Sequence, residues 1–259
     1  MTRLPFLRTL VPLLFASFTM NGSGVAAEAP VARCFELRTY YANEGKLDAL
    51  NARFREHTTK LFTKHGMTNV GYWMPVENPE RKLVYLLSYP DLDARQASWK
   101  AFQADPEWIS VAKASEVGGK LVMKVESRFL APTDFSPAMT VEEGSHVFEM
   151  RTYSATPGNL PLLLSRFRDH TTKLFTKHGM KHFAYFTPLN GQPGADDTLV
   201  YFLIHDSADA CKTSFDAFRA DPEWIKVKAA SEAAGGGPLT VPDGVKSVLM
   251  KATDYSPVK

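Results

Sequence analysis

Residues 35–67, FELRTYYANEGKLDALNARFREHTTKLFTKHGM, return 113 positions later as FEMRTYSATPGNLPLLLSRFRDHTTKLFTKHGM (148–180), with about two thirds of the letters unchanged. The last stretch, HTTKLFTKHGM, is identical in both. The match resumes after a small insertion: KLVYLLSYP (82–90) against TLVYFLIHD (198–206), ADPEW at 104–108 and 220–224, and TDFSP (133–137) against TDYSP (253–257). Two long copies make a duplicated domain, because a solenoid needs several units of roughly 20–50 residues. The expected division is a leader over 1–27, one domain over 28–137 and a second over 138–259.

Within a copy the hydrophobic period alternates. CFELRTYY alternates apolar and polar residues and reads as a strand. From Lys46 to His65 the apolar positions Leu47, Leu50, Phe54 and Leu61 have helical spacing, and Gly66 supplies a left-handed stop. VGYWMPV and KLVYLLSYP then read as strands around the turn ENPER. A helical region from Leu92 to Val117 is re-started at Asp105-Pro106-Glu107, a cap, a first-turn proline and an acid. LVMKVESRFL closes the copy as a fourth strand. The order βαββαβ is α+β and ferredoxin-like, a four-stranded sheet with helices on one face. Each bare sheet face needs an apolar partner. The other copy supplies it, so the expectation is two repeats packed sheet to sheet as an intramolecular α/β barrel about a pseudo-twofold axis.

The first residues differ in character. Arg3 and Arg8 precede an apolar run from Leu10 to Phe18, and small residues end at Ala27. That is the pattern of a secretory signal peptide cleaved after Ala27, which implies a periplasmic or extracellular protein. The run is too short for a comfortable membrane span, and no membrane insertion is expected after cleavage. Losing two arginines and no acids brings the formal charge of +2 to about zero, which argues against nucleic acid as a partner. Apolar content of 44% and aromatic content of 12% suit an ordinary globular core. Cys34 aligns with Val147 and Cys211 with Arg95, so a disulfide between them would be particular to this protein.

FELRTY, the helix ending in KHG, the VGYW strand, ADPEW and the ESRFL strand together resemble the NIPSNAP domain, over nearly all of residues 33–131 and 146–252. The resemblance implies the dimeric α/β-barrel superfamily. For function it implies little. NIPSNAP proteins have been linked to vesicle traffic, mitochondrial quality control and protein interaction, and wider relatives include cofactor-free monooxygenases, haem-degrading enzymes, isomerases and stress-response proteins.

Three groups of residues carry candidate chemistry. His57 lies three residues from Phe54 and four from Leu61, so helical spacing turns it toward the sheet. There His57 and His170 read either as a general base, proton donor or haem ligand, or as buried imidazoles satisfied by a carbonyl or a tyrosine. Glu36, Arg38 and Tyr40 share one face of the first strand, as do Glu149, Arg151 and Tyr153 in the second copy. Facing the barrel they would gather two acids and two bases, either as a pocket for an anionic or phenolic ligand or as ion pairs that fix register. Trp73 and Trp99, with Trp108, Tyr72 and Tyr85, line a cavity for a planar molecule or simply pack the core. Their counterparts Phe186 and Phe215 are smaller, which predicts two clefts of unequal size.

No metal centre is expected. His57 and His65 are about 12 Å apart along a helix, and Gly179 interrupts the pair His178 and His182. Serine-hydrolase elbows, phosphate-cradling loops and dinucleotide fingerprints are absent from the sequence. The residues call for no cofactor, with haem left open by the resemblance. The sequence therefore points to an exported protein that binds a small apolar or aromatic molecule or a protein partner, as a monomeric pseudo-dimer open to further dimerisation. The alternative is a cofactor-independent or haem-using monooxygenase.

Overall fold

The computed structural model describes Met1, residues 33–140 and residues 144–259. Apart from Met1, the expected leader and its cleavage site lie outside the described residues. The first copy comprises β1 (Cys34–Ala42), α1 (Leu47–Arg53), a π-helical turn (Phe54–Thr58), α2 (Thr59–Lys64), β2 (Thr68–Pro75), β3 (Lys82–Tyr89), α3 (Leu92–Ala104), α4 (Pro106–Ser115) and β4 (Val122–Pro132). The second repeats it as β5 (Val147–Ala155), α5 (Leu160–Arg166), a π turn (Phe167–Thr171), α6 (Thr172–Lys177), β6 (Lys181–Pro188), β7 (Thr198–His205), α7 (Ala208–Ala220), α8 (Pro222–Ala234) and β8 (Thr240–Ala252).

The eight strands close into one antiparallel barrel in the order β1-β3-β2-β8-β5-β7-β6-β4. The copies meet at two seams: Trp73 opposite Ala252 between β2 and β8, and Leu130 opposite Pro188 between β4 and β6. Closure leaves no open sheet edge in the barrel. So the two sheets join edge to edge as well as facing each other across the interior. That interior is apolar, built from Phe35, Leu37, Val84, Leu86, Phe148, Phe183, Phe202 and Met250 among others. Alternation then turns Glu36, Arg38 and Tyr40 outward, under the helices, so the polar rows of the two copies do not meet inside the barrel.

The helix predicted over 46–65 runs from Leu47 to Lys64 with the π turn in its middle. One extra residue in that turn rotates the second half of the helix, and Phe54, Thr58, Leu61 and Phe62 become the buried positions. Thr58 and Thr59 donate to the carbonyls of Arg53 and Phe54, each at 3.1 Å. These hydroxyls engage acceptors where the ordinary ladder is interrupted. Each copy has its own helix-to-sheet core, centred on Phe54, Phe62, Tyr85 and Phe102 in the first and Phe167, Phe175, Tyr201 and Phe218 in the second. Cys34 belongs to the first core and Cys211 to the second, and both are free thiols. No helix among the described residues is long and apolar enough to cross a membrane.

Candidate functional site

The string HTTKLFTKHGM is a structural cassette in both copies. Lys64 Nζ and His65 Nε2 reach the Oδ2 atom of Asp105 at 2.8 and 2.6 Å, while its Oδ1 caps α4 by accepting from the Glu107 amide at 2.9 Å. Lys177, His178 and Asp221 repeat this at 2.7, 2.7 and 2.8 Å. The Lys64 and His65 contacts hold the Asp105 carboxyl well below the usual carboxylate range. Gly66, at φ +78°, makes the turn that lets α2 end there. The KHG and ADPEW motifs are thus one device, joining a helix end to a helix start. His57 does not face the sheet. The π turn swings it to the surface with 43% of its side chain exposed, beside Glu56, and His170 is exposed as well.

Glu36 lies at the centre of a dense polar cluster between sheet and helices. Fully buried, it accepts from Arg38 at 2.5 Å, from Arg95 at 2.8 and 3.0 Å, from Ser127 at 2.7 Å, from Trp99 at 3.0 Å and from Tyr89 at 3.1 Å. Burial alone would raise its carboxyl, but the hydrogen bonds from Arg95 and the nearby Arg38 charge outweigh it and hold the group down to about 2. Arg38 also donates from Nε to the Tyr85 hydroxyl at 2.9 Å and lies 4.3 Å over the Trp99 ring. Arg53 closes the cluster's outer side by pairing with Glu116 at 3.3 Å. This cleft holds only about 180 Å³.

The second copy opens the same place. Tyr89, Arg95 and Trp99 become His205, Cys211 and Phe215. Glu149 keeps Arg151 and Ser247, each at 2.5 Å, and gains His205 Nε2 at 3.0 Å and Cys211 Sγ at 3.7 Å. Against burial, the His205 hydrogen bond and Arg151 lower the Glu149 carboxyl, whereas burial and Glu149 push the Cys211 thiol up to about 12. Arg166 is buried, donates to the Ser231 hydroxyl at 3.2 Å and lies 5.2 Å over the Trp224 ring; Glu232 acts on it, but no carboxylate among the described residues is within ion-pair distance. Burial draws its pKa below the ordinary guanidinium value. The Nε atoms of Arg151 and Arg166, both buried, find no hydrogen-bond partner among the described residues. The resulting cleft is about 610 Å³, walled by Phe167, Phe175, Phe215, Phe218 and Trp224.

The model of the NIPSNAP family matches this chain twice, over residues 35–137 and 148–257. The chain belongs to the NIPSNAP family. Its tandem NIPSNAP domains are similar in fold to a monooxygenase candidate from Fusobacterium nucleatum, at 10% identity and a TM-score of 0.57, over 86% of this chain and 93% of that one. A second such candidate from Lactobacillus acidophilus has 9% identity and a TM-score of 0.54, over 88% and 99%. A NIPSNAP-like domain protein of Burkholderia xenovorans aligns at 22% identity over 41% of this chain and 90% of that one, with a TM-score of 0.37. No curated protein matches the chain.

Between the two NIPSNAP domains, then, the candidates separate into three places. Arg38, Tyr40 and Trp99 line the narrow cleft with Glu36 bonded behind them, and Arg151, Tyr153 and Phe215 line the wide one with Glu149 behind Arg151. Trp73 and Phe186 are instead inside the barrel, packed against Phe148 and Phe35 at ring distances of 5.5 and 5.0 Å. Neighbouring strand residues alternate sides, which puts Tyr72 with the helices and Trp73 with the interior. Sequence reasoning missed Arg166. Its signal was the aligned pair Arg53 and Arg166 on the buried stripe of each long helix, where a guanidinium demands an anionic partner.

Proposed function

We propose that the cleft of the second NIPSNAP domain binds a small, planar organic anion, apolar over most of its body and carrying a carboxylate or phenolate head. The observation that carries this reading is Arg166, a buried guanidinium with no carboxylate partner among the described residues, facing an aromatic-walled cleft of about 610 Å³. A buried guanidinium that Glu232 balances only from beyond ion-pair distance is costly, and a ligand anion in direct contact would relieve it. Arg151 stands on the same wall with its Nε also unengaged. The aromatic walls suit a flat apolar body. Strand orders β4-β1-β3-β2 and β8-β5-β7-β6 support reading each domain as a ferredoxin-like unit, with the cleft between its sheet and its helices.

A second reading is oxygenation of such an anion without a cofactor, in line with the names of the fold neighbours from Fusobacterium and Lactobacillus. Neither lining holds a His, Cys or Met that could serve as an axial ligand to haem, and the tyrosines there, Tyr40 and Tyr153, accept from Arg38 and Arg151 at 3.5 Å each. His57 and His170 lie outside both linings.

Thermal-shift and native mass spectrometric screening of aromatic carboxylates and phenols tests both readings, with oxygen consumption measured in parallel. Binding should be lost in Arg166→Met. Binding that survives this substitution, or no binder in the class, would refute the assignment. Oxygen uptake with a binder would promote the second reading. We also infer from the leader pattern that the protein acts outside the cytoplasm, for which a mature N-terminus at Glu28 after expression in a secreting host is the check.

A further inference from the structure

The two domains meet one electrostatic requirement with different groups. In the first, Oε2 of Glu36 accepts from Arg95 Nε, Trp99 Nε1 and the Tyr89 hydroxyl at 3.0, 3.0 and 3.1 Å. In the second those positions are Cys211, Phe215 and His205, and Oε2 of Glu149 faces His205 Nε2 at 3.0 Å and Cys211 Sγ at 3.7 Å. One ligating atom from each of Glu149, His205 and Cys211 lies within 4.8 Å of the other two, and all three residues are buried. Replacing Arg95 by Cys211 has removed a full positive charge from beside a buried carboxylate.

We propose that Glu149, His205 and Cys211 bind a single divalent cation, Zn²⁺ being the metal this donor set fits. Carboxylate oxygen, imidazole nitrogen and thiolate sulfur are zinc's usual ligands, at about 2.0–2.3 Å. A tetrahedron on such bonds has edges of about 3.3–3.7 Å, close to the 3.0 and 3.7 Å that separate Glu149 from His205 and Cys211, while the imidazole-to-thiol edge, within 4.8 Å, closes on binding. Binding releases the Cys211 thiol proton to solvent. The divalent ion and the thiolate then carry a net single positive charge, the same that Arg95 supplies in the first domain. Arg151 and Ser247 hold Oε1 of Glu149 at 2.5 Å each, which leaves Oε2 directed at the imidazole and the thiol, as an outer ring of partners should. Three protein ligands leave a fourth position, and Arg151 and Phe215, beside the cluster, also line the wide cleft. The ligands come from β5, β7 and α7, so no short spacing motif announces them.

The test is titration of the purified full-length chain with Co²⁺, then competition by Zn²⁺. The expected result is one equivalent bound, with an intense near-ultraviolet thiolate-to-cobalt band and tetrahedral visible bands, both erased by Zn²⁺. Cys211→Ser should remove the near-ultraviolet band and weaken binding by more than ~100-fold, since disturbing an outer partner alone costs ~10–100-fold. Cys34→Ser should change nothing. The triple variant His205→Tyr/Cys211→Arg/Phe215→Trp carries the first domain's own residues, which guards against a mere folding failure, and it should stay folded and take up no metal. Absence of a stoichiometric equivalent in the wild-type chain, or a thiolate band that persists in Cys211→Ser, would overturn the proposal and leave Glu149 balanced by Arg151 and the imidazole alone. These readouts use the metal only, so they stand or fall separately from the organic ligand of the cleft.

Discussion

Arg55 holds Asp254 in a two-pronged ion pair, at 2.6 and 2.8 Å, although 199 residues separate them. The tail of the second domain crosses to the first, and the tail of the first returns the exchange: Arg168 grips Asp134 at 2.7 Å on both prongs. Around each pair the crossing tail is stitched to a strand. Ser256 Oγ accepts from the Tyr72 amide at 3.0 Å, as Ser136 Oγ does from the Tyr185 amide. Tyr255 completes the first helix-to-sheet core, 5.4 Å from the Tyr72 ring and donating to Asn51 at 2.7 Å. The domains are therefore mutually dependent. Tyr255→Ala should cost about 3 kcal/mol, and Tyr255→Phe only about 1 kcal/mol for the hydroxyl. Both losses should appear in a single cooperative urea transition of the whole chain. Two separate transitions would contradict the exchange.

Glu36 makes the protein acid-sensitive in a defined window. Its carboxyl ordinarily titrates near 4.5 and is held down to about 2 in the folded chain. A depressed folded value means that the stabilisation is fully present above about pH 5 and is lost as pH falls toward 2. The difference corresponds to roughly 3 kcal/mol at neutral pH. Glu36→Gln should remove much of that stability at pH 7 and flatten the dependence between pH 5 and 2, as read by urea midpoints at several pH values. A variant whose acid profile still parallels the parent would show that other carboxylates set it.

The duplicated barrel was legible because the alternation in β1, the apolar run of β3, the cap at Asp105 and the stop at Gly66 are local signals that the fold agrees with. The orientation of His57 was not. Phe54, His57 and Leu61 fit an ordinary helical stripe, and nothing in the letters reports the π turn that buries Thr58 in place of the histidine. Nor did alternation say which face of β1 looks into the barrel. Glu36 and Phe35 are both buried, and what distinguishes them is Arg95, Trp99 and Ser127, which arrive from α3 and β4. The unequal clefts were visible in Trp99 against Phe215, a comparison that duplication makes possible within one chain. The tails were visible as repeated TD-x-SP motifs, but their crossing depends on strand closure at long range.

Phe215→Trp should close the wide cleft by restoring the ring found at Trp99. The exchange enlarges a wall residue beside open volume of about 610 Å³, so its cost to stability should stay below about 1.5 kcal/mol. Any aromatic anion that raises the melting temperature of the parent chain should lose its effect. The reverse change, Trp99→Phe, removes a donor to Glu36 and Tyr89 and should cost about 1–3 kcal/mol. Equal ligand response in the parent and Phe215→Trp would place the ligand elsewhere.

Gly71 and Trp73 are matched in the first domain as Ala184 and Phe186 are in the second. A Cβ added at Gly71 would lie 2.3 Å from the Trp73 ring, far inside contact distance, and 3.0 Å from Val258. The larger ring is accommodated by the missing methyl two residues earlier on the same strand. Trp73 is fully buried against Phe148, Phe183 and Phe202, at ring distances of 5.5, 6.0 and 5.5 Å, so it has no easy alternative position. Gly71→Ala alone should therefore destabilise by about 1–3 kcal/mol through overpacking. The double variant Gly71→Ala/Trp73→Phe installs the second domain's pair. It should be more stable than the sum of its single changes by about 0.5–3 kcal/mol, the coupling expected of residues in contact. A four-member urea series measures that coupling directly, and an additive result would mean that the strand shifts to accept the methyl without help from the ring.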